Sequence, residues 1–233
     1  MRLFVAATLV LVVTAPTASA QRPGSGPLLG RLEAIDARLV SAVASVRRGT
    51  LPRGFAATIR SIDGDVAELG HALPQLGAGP ARASVVYYGL RDADTKLALA
   101  RKHVRLREPG AAAAVRSAAS AIRLVAREVS RQHLTVTAAF RSIARHAMAV
   151  ARRTVLDDRD VRVLMMRKDR LLQGLPAVAG VPFATFYDGS FLVHARLGHA
   201  LRTTLHDDPD AVLNDLLGAR QATRSLEVSF RNG

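Results

Sequence analysis

The stretch from 111 to 156 reads AAAAVRSAASAIRLVAREVSRQHLTVTAAFRSIARHAMAVARRTVL, and in it a branched apolar residue returns at every seventh position: Val115, Ile122, Val129, Val136, Ile143 and Val150. Four residues after each stand Ala119, Ala126, His133, Phe140, Ala147 and Thr154, mostly small side chains beside which another backbone can approach closely. With the branched residues at heptad position a, Arg116, Arg123, Arg127, Arg131, Arg141, Arg145 and Arg152 fall at b, c or f, away from the seam. The spacing predicts one helix of about 70 Å at 1.5 Å per residue. A kink is expected near 134–137, where Thr135, Val136 and Thr137 lower helix propensity. A seam of this kind also predicts a homodimer through it.

Helical periodicity extends outward in both directions. Leu28, Leu32, Ile35, Leu39, Ala42 and Val46 form one apolar stripe, ended by Gly49. A second stripe, Phe55, Ile59, Ile62, Val66, Leu69 and Leu73, lies between Pro52, read as its first helical residue, and Pro74. These two helices are expected to form a hairpin. After the break LGAGP at 76–80, a third stripe runs through Ala83, Val86, Leu90, Ala93, Leu97, Ala100 and Val104 to the stop at Glu108-Pro109-Gly110.

Beyond the heptads, a shorter helix to about Gln173 presents Val161, Leu164 or Met165, and Leu171 or Leu172. The low-charge segment 174–191 reads as a loop, followed by a helix from about Ser190 to His206. Asp208 as cap and Pro209 as first residue start a last helix with Leu213, Leu216, Thr223, Leu226 and Phe230 on one face. No segment alternates with the period of a strand. The fold class is therefore all-α: an antiparallel helical bundle of six or seven helices with one long central helix. It is expected as a single domain over 28–230, with a sub-division near 174–190.

The first twenty residues, MRLFVAATLVLVVTAPTASA, have the order of a secretory signal peptide: Arg2, an apolar run from Leu3 to Val13, and the small-residue site Ala18-Ser19-Ala20. Residues 21–27 are expected to be a flexible mature N-terminus, and the protein to be periplasmic or secreted. The later stretches are too often interrupted by charge to cross a bilayer, so an integral membrane protein is not expected. With zero cysteines, disulfides, c-type haem attachment and thiolate metal sites are excluded.

A net charge of +14 favours anionic partners. Because nearly all basic residues are arginine, the base composition of a GC-rich genome accounts for part of that charge regardless of function. The sharpest basic cluster is Arg101, Lys102, Arg105 and Arg107, at the end of the third helix where cations also complement the macrodipole. Together with Arg127, Arg131, Arg141 and Arg145 on the outer face of the heptads, it forms the candidate anion-binding set. Partners that fit are an anionic envelope polymer, a lipid surface or an acidic protein. Nucleic acid is not expected, given export and 4% aromatic residues.

No arrangement of carboxylates, serine, histidine and aspartate with catalytic spacing appears, and no metal or cofactor motif, so the expected function is non-enzymatic association. The alternative is a carrier of a small apolar ligand, haem or metal in the bundle core. His133, at a seam position, and Phe183, Phe186, Tyr187, Phe191 and His194 are its candidate pocket residues. A structural histidine and an aromatic plug account for the same residues. Asp207, Asp208 and Asp210 read as caps of the last helix.

Overall fold

Each apolar stripe becomes the buried face of a helix. The structure, a computed structural model, describes residues 26–46, 51–77, 79, 81–130, 134–153 and 155–232. The expected signal peptide lies outside the described residues. Among those described there are eight α-helices and no strand: α1 (Gly26–Val46), α2 (Phe55–Ala67), α3 (Ala83–Leu106), α4 (Ala111–Val129), α5 (Leu134–Val150), α6 (Asp158–Leu172), α7 (Phe183–Thr203) and α8 (Pro209–Asn232). Short 3-10 turns follow α2 at Glu68–Ala72 and α7 at Thr204–His206. None of the described helices is long and apolar enough to cross a membrane.

The packing partners trace two closed rings. In one, α1 packs on α8, α8 on α7, α7 on α2 and α2 on α1; in the other, α3 packs on α4, α4 on α5, α5 on α6 and α6 on α3. The chain thus builds half of the first ring, completes the second, and returns through residues 173–182 to finish the first. Both rings feed one continuous apolar core, with Tyr87 of α3 against Phe186 and Tyr187 of α7 at the boundary, ring centroids 5.5 and 5.8 Å apart. Expected helix pairing is modified accordingly: α1 and α2 touch, but α1 packs chiefly on α8 and α2 on α7.

The single long helix is not what forms. The heptad stretch is divided into α4 and α5, which pack extensively against one another, an arrangement that a continuous helix excludes. The seam itself survives the division: Val115, Ile122, Val129, Ile143 and Val150 are buried, as are Ala119, Ala126, Phe140 and Ala147. Each helix turns the same face inward, so the stripe is used twice within one protomer. Its buried residues are covered by the chain's own helices.

Two boundaries also move. Helix α2 starts at Phe55, because Pro52 to Gly54 make a turn in which Phe55 N donates to Pro52 O at 3.0 Å. Helix α1 begins at Gly26, within the segment expected to be flexible. At the starts of α6 and α8 the local signals hold. Asp157 accepts from Asp160 N at 2.7 Å to cap α6, and Asp208 accepts from Ala211 N at 3.0 Å to cap α8.

Helix α3 ends with Arg107 in the left-handed region at φ 55°. Glu108 N donates to His103 O at 2.9 Å and Arg107 N to Val104 O at 3.2 Å, the two bonds of a Schellman ending. Glycine is the residue that adopts this conformation without a Cβ penalty. Arg107→Gly is therefore expected to stabilise the fold by about 0.5–1 kcal/mol. Urea unfolding reads this as a raised midpoint at constant m; a lowered midpoint would show that the Arg107 side chain holds the turn.

Candidate functional site

The packing of α4 on α5 brings two pairs of arginines to one place. Arg123 and Arg127 are four apart on α4, Arg141 and Arg145 four apart on α5, and the four side chains with Ala138 line a groove of about 570 Å³. In the sequence the pairs are mirror-placed: Arg123 and Arg145 are equidistant from Leu134, and so are Arg127 and Arg141. An antiparallel turn therefore sets one row of guanidiniums against the other. All four are exposed.

What surrounds them is as informative as what they are. Between 111 and 156 there are eight arginines and a single carboxylate, Glu128. That carboxylate is buried, accepting from Arg82 N at 2.7 Å to cap α3. The other exposed side chains of the two helices are mostly small, among them Ser117, Ser120, Ala138, Ser142 and Ala149. All acidic side chains of the chain are among the described residues, and none pairs with Arg123, Arg127, Arg141 or Arg145. On other faces arginines stand among acids: Arg38 with Asp65, Arg153 with Asp160, Arg196 with Asp215, and Arg220 with Asp36.

Like charges at this spacing cost each helix about 0.2–0.5 kcal/mol per pair. The dipole at the end of α4 offsets part of this for Arg127 but does nothing for Arg141 and Arg145 in the middle of α5. Base composition supplies arginines; it does not remove every exposed carboxylate from one face. An exposed, unneutralised, paired-arginine groove is suited to binding the oxygens of phosphate, sulfate or carboxylate groups bidentately.

The cluster at the end of α3 is more committed. Arg101 grips Asp158 with Nε at 2.7 Å and Nη2 at 3.2 Å, and Arg105 and Arg162 approach the same carboxylate at 3.6 and 3.1 Å. The hydrogen bond from Arg101 holds the Asp158 carboxyl below the usual range. A depressed value means that the pair's contribution is present above the unfolded carboxylate range and fades as pH falls through the folded one. Lys102 is exposed beside Arg101 and Arg105, and Arg107 is spent on the helix ending. Arg131 and His133 lie outside the described residues.

The aromatic segment is helical, not a loop. Pro182 leads directly into α7, with Phe186 N donating to Pro182 O at 3.2 Å, and Phe183, Phe186, Tyr187, Ser190, Val193 and Leu197 continue one buried face. Phe183, Phe186 and Tyr187 fill the boundary between the rings; Phe191 is 45% exposed.

Around it lies a polar network of which the sequence pointed only to Tyr187 and His194. Lys168 of α6, 1% exposed, reaches Asp94 of α3 at 2.7 Å, and Tyr187 donates to the same carboxylate oxygen. Burial, then the Asp94 charge, pushes the Tyr187 phenol above its usual range, so it remains a donor. Further along, His194 Nδ1 lies 2.5 Å from Asp63 Oδ1 and 3.1 Å from Arg91 Nη2. A single ring nitrogen cannot serve both; a carboxylate oxygen can only accept, so the shorter contact is a hydrogen bond that Nδ1 donates to Asp63. Ser190 does not complete a triad with this pair: its hydroxyl donates to Tyr187 O at 2.9 Å and accepts from Tyr87. The network ties α2, α3, α6 and α7 together across the ring boundary.

Set against known proteins, the chain matches no protein-family model, no curated protein and no solved structure.

Proposed function

We propose that this is an exported protein that acts by association, holding an anionic envelope component against the paired-arginine groove of α4 and α5. The observation that carries the reading is the convergence of Arg123, Arg127, Arg141 and Arg145 on one groove in a helical hairpin with no exposed carboxylate. Retaining four like charges there works against stability, and an anionic ligand is what offsets it.

The test replaces all four arginines with glutamate and measures retention on a phosphate-bearing matrix across a salt gradient. The wild-type protein is expected to bind at low ionic strength and to weaken as salt screens the contacts. The variant is expected to lose binding by at least roughly tenfold, a difference of about 1.4 kcal/mol. Its thermal midpoint should be equal or higher, because the pairwise repulsion within each helix becomes repulsion only between like acids on a strongly basic protein. A charge-matched control, Arg53→Glu, Arg60→Glu, Arg170→Glu and Arg202→Glu together, changes charge at exposed sites on α6, α7 and α2 with the turn before it and should bind nearly as wild type. Equal loss in the control would mean that net charge, not the groove, does the binding.

A further inference from the structure

We infer that the ligand of this groove is a linear polyanion of repeating phosphate groups, lying lengthwise between α4 and α5; the inference rests on the reading of the groove as an anion site. The two rows do not end at the groove. Arg116 stands seven residues before Arg123 and so continues that row of α4 on the same face two turns on, and Arg152 stands seven residues after Arg145, two residues past the end of α5. Both are exposed, Arg116 on α4 and Arg152 in the turn that follows α5. From Arg116 to Arg127 the row covers about 16 Å of helix axis. Arg127, Arg141, Arg123 and Arg145 line the groove, and the mirror placement of Arg116 and Arg152 about Leu134 assigns them to its outer end as a third rung, along a strip whose exposed neighbours are largely serine and alanine.

A strip of this shape suits an extended chain better than it suits a compact headgroup or a bilayer. A single headgroup would be satisfied by the four arginines of the groove and would leave the outer rung unused. A membrane surface needs apolar side chains to enter it beside the cations, and Leu124, 54% exposed, is the one large apolar side chain exposed along α4 and α5 among the described side chains. Small hydroxyl and methyl neighbours leave the groove floor open along its length, and the guanidiniums on either wall match a backbone that carries charge at short, regular intervals.

Isothermal titration of the full chain with pyrophosphate, with inorganic polyphosphate of increasing length and with phosphatidylglycerol vesicles tests this. Affinity per chain is expected to rise roughly tenfold from pyrophosphate to long polyphosphate and then to level off once the chain covers the strip. If single-stranded polyelectrolyte behaviour applies, log K should fall with log salt with a slope of about −4 for the long chain. Replacing Arg116 and Arg152 with alanine should reduce the slope by about one and erase the advantage of length, while leaving pyrophosphate binding unchanged. Pyrophosphate binding as tightly as the long chain would overturn the linear ligand and keep the groove. Tighter binding to vesicles than to polyphosphate at matched phosphate would overturn it in favour of a lipid surface. Failure to bind any of the three at low salt would overturn the anion site itself.

Discussion

Replacing Lys168 with methionine is expected to cost about 3–5 kcal/mol of folding stability, because it leaves the Asp94 carboxylate without its cation in a largely desolvated place. Lys168 is 1% exposed and the Asp94 side chain 12%. The ammonium also sits 5.2 Å from the Tyr187 ring centroid and 2.8 Å from Asp169, but Asp169 is 60% exposed and contributes little. The loss should appear as a lower urea midpoint with m unchanged. A second variant separates the buried charge from simple packing: Lys168→Met combined with Asp94→Asn keeps an acceptor for the Tyr187 hydroxyl while removing the charge. It should recover all but about 1–2 kcal/mol. A Lys168→Met protein within about 1 kcal/mol of wild type would show that Asp94 is hydrated in solution and that the two rings are held together by apolar contact alone.

The place of Lys168 was legible and was passed over. Val161, Leu164, Lys168 and Leu172 share one helical stripe, and all four are buried. Reading the apolar letters alone steps across the lysine in their midst. Its partner could not be read the same way, since Asp94 lies on another helix and only the ring topology brings it near. The aromatic segment shows the opposite error. Its glycines and prolines signal a loop, yet Phe183, Phe186, Ser190, Val193 and Leu197 already have helical spacing, and burial between the rings decides in favour of the helix.

The heptad stretch shows what periodicity determines and what it leaves open. Which residues turn inward was correct at five of the six a positions, Val115, Ile122, Val129, Ile143 and Val150, while Val136 is half-buried. Where the helix stops was not, because the stretch contains no glycine or proline between 111 and 156 to mark a turn. The break after Val129 falls just ahead of Thr135-Val136-Thr137, the low-propensity run where a kink is expected; that local signal marks a weak place in the helix but not a reversal of the chain. That one error hid the candidate site: Arg127, Arg141 and Arg145 were recognisable as an outer stripe, but on a straight helix they are a row, whereas folded back they become two facing walls, with Arg123 completing them.

Gly70→Ala is expected to destabilise the protein by about 2–3 kcal/mol, the range for forcing atoms into a filled core. Gly70 is buried in the 3-10 turn after α2, and a Cβ there would stand 2.4 Å from Tyr87 Cδ1 and 2.8 Å from Tyr88 Cζ. The Tyr87 ring has no room to withdraw. Tyr87 is 1% exposed, wedged against Phe186 and Tyr187 with its hydroxyl shared by Ser190 and Arg91. Tyr88 lies against His71 with ring centroids 4.8 Å apart. The backbone at Gly70 does not require positive φ, so in the absence of those rings the substitution would stabilise by about 0.4–1 kcal/mol through the unfolded state. The sign of the effect therefore reports the contact. Gly64→Ala, in α2 with nothing within 4 Å of the new methyl, should stabilise by about 1 kcal/mol. Measured side by side by urea unfolding, the two substitutions should move the midpoint in opposite directions; a stabilising Gly70→Ala would mean that the tyrosine pair does not close over the turn as the rings' boundary requires.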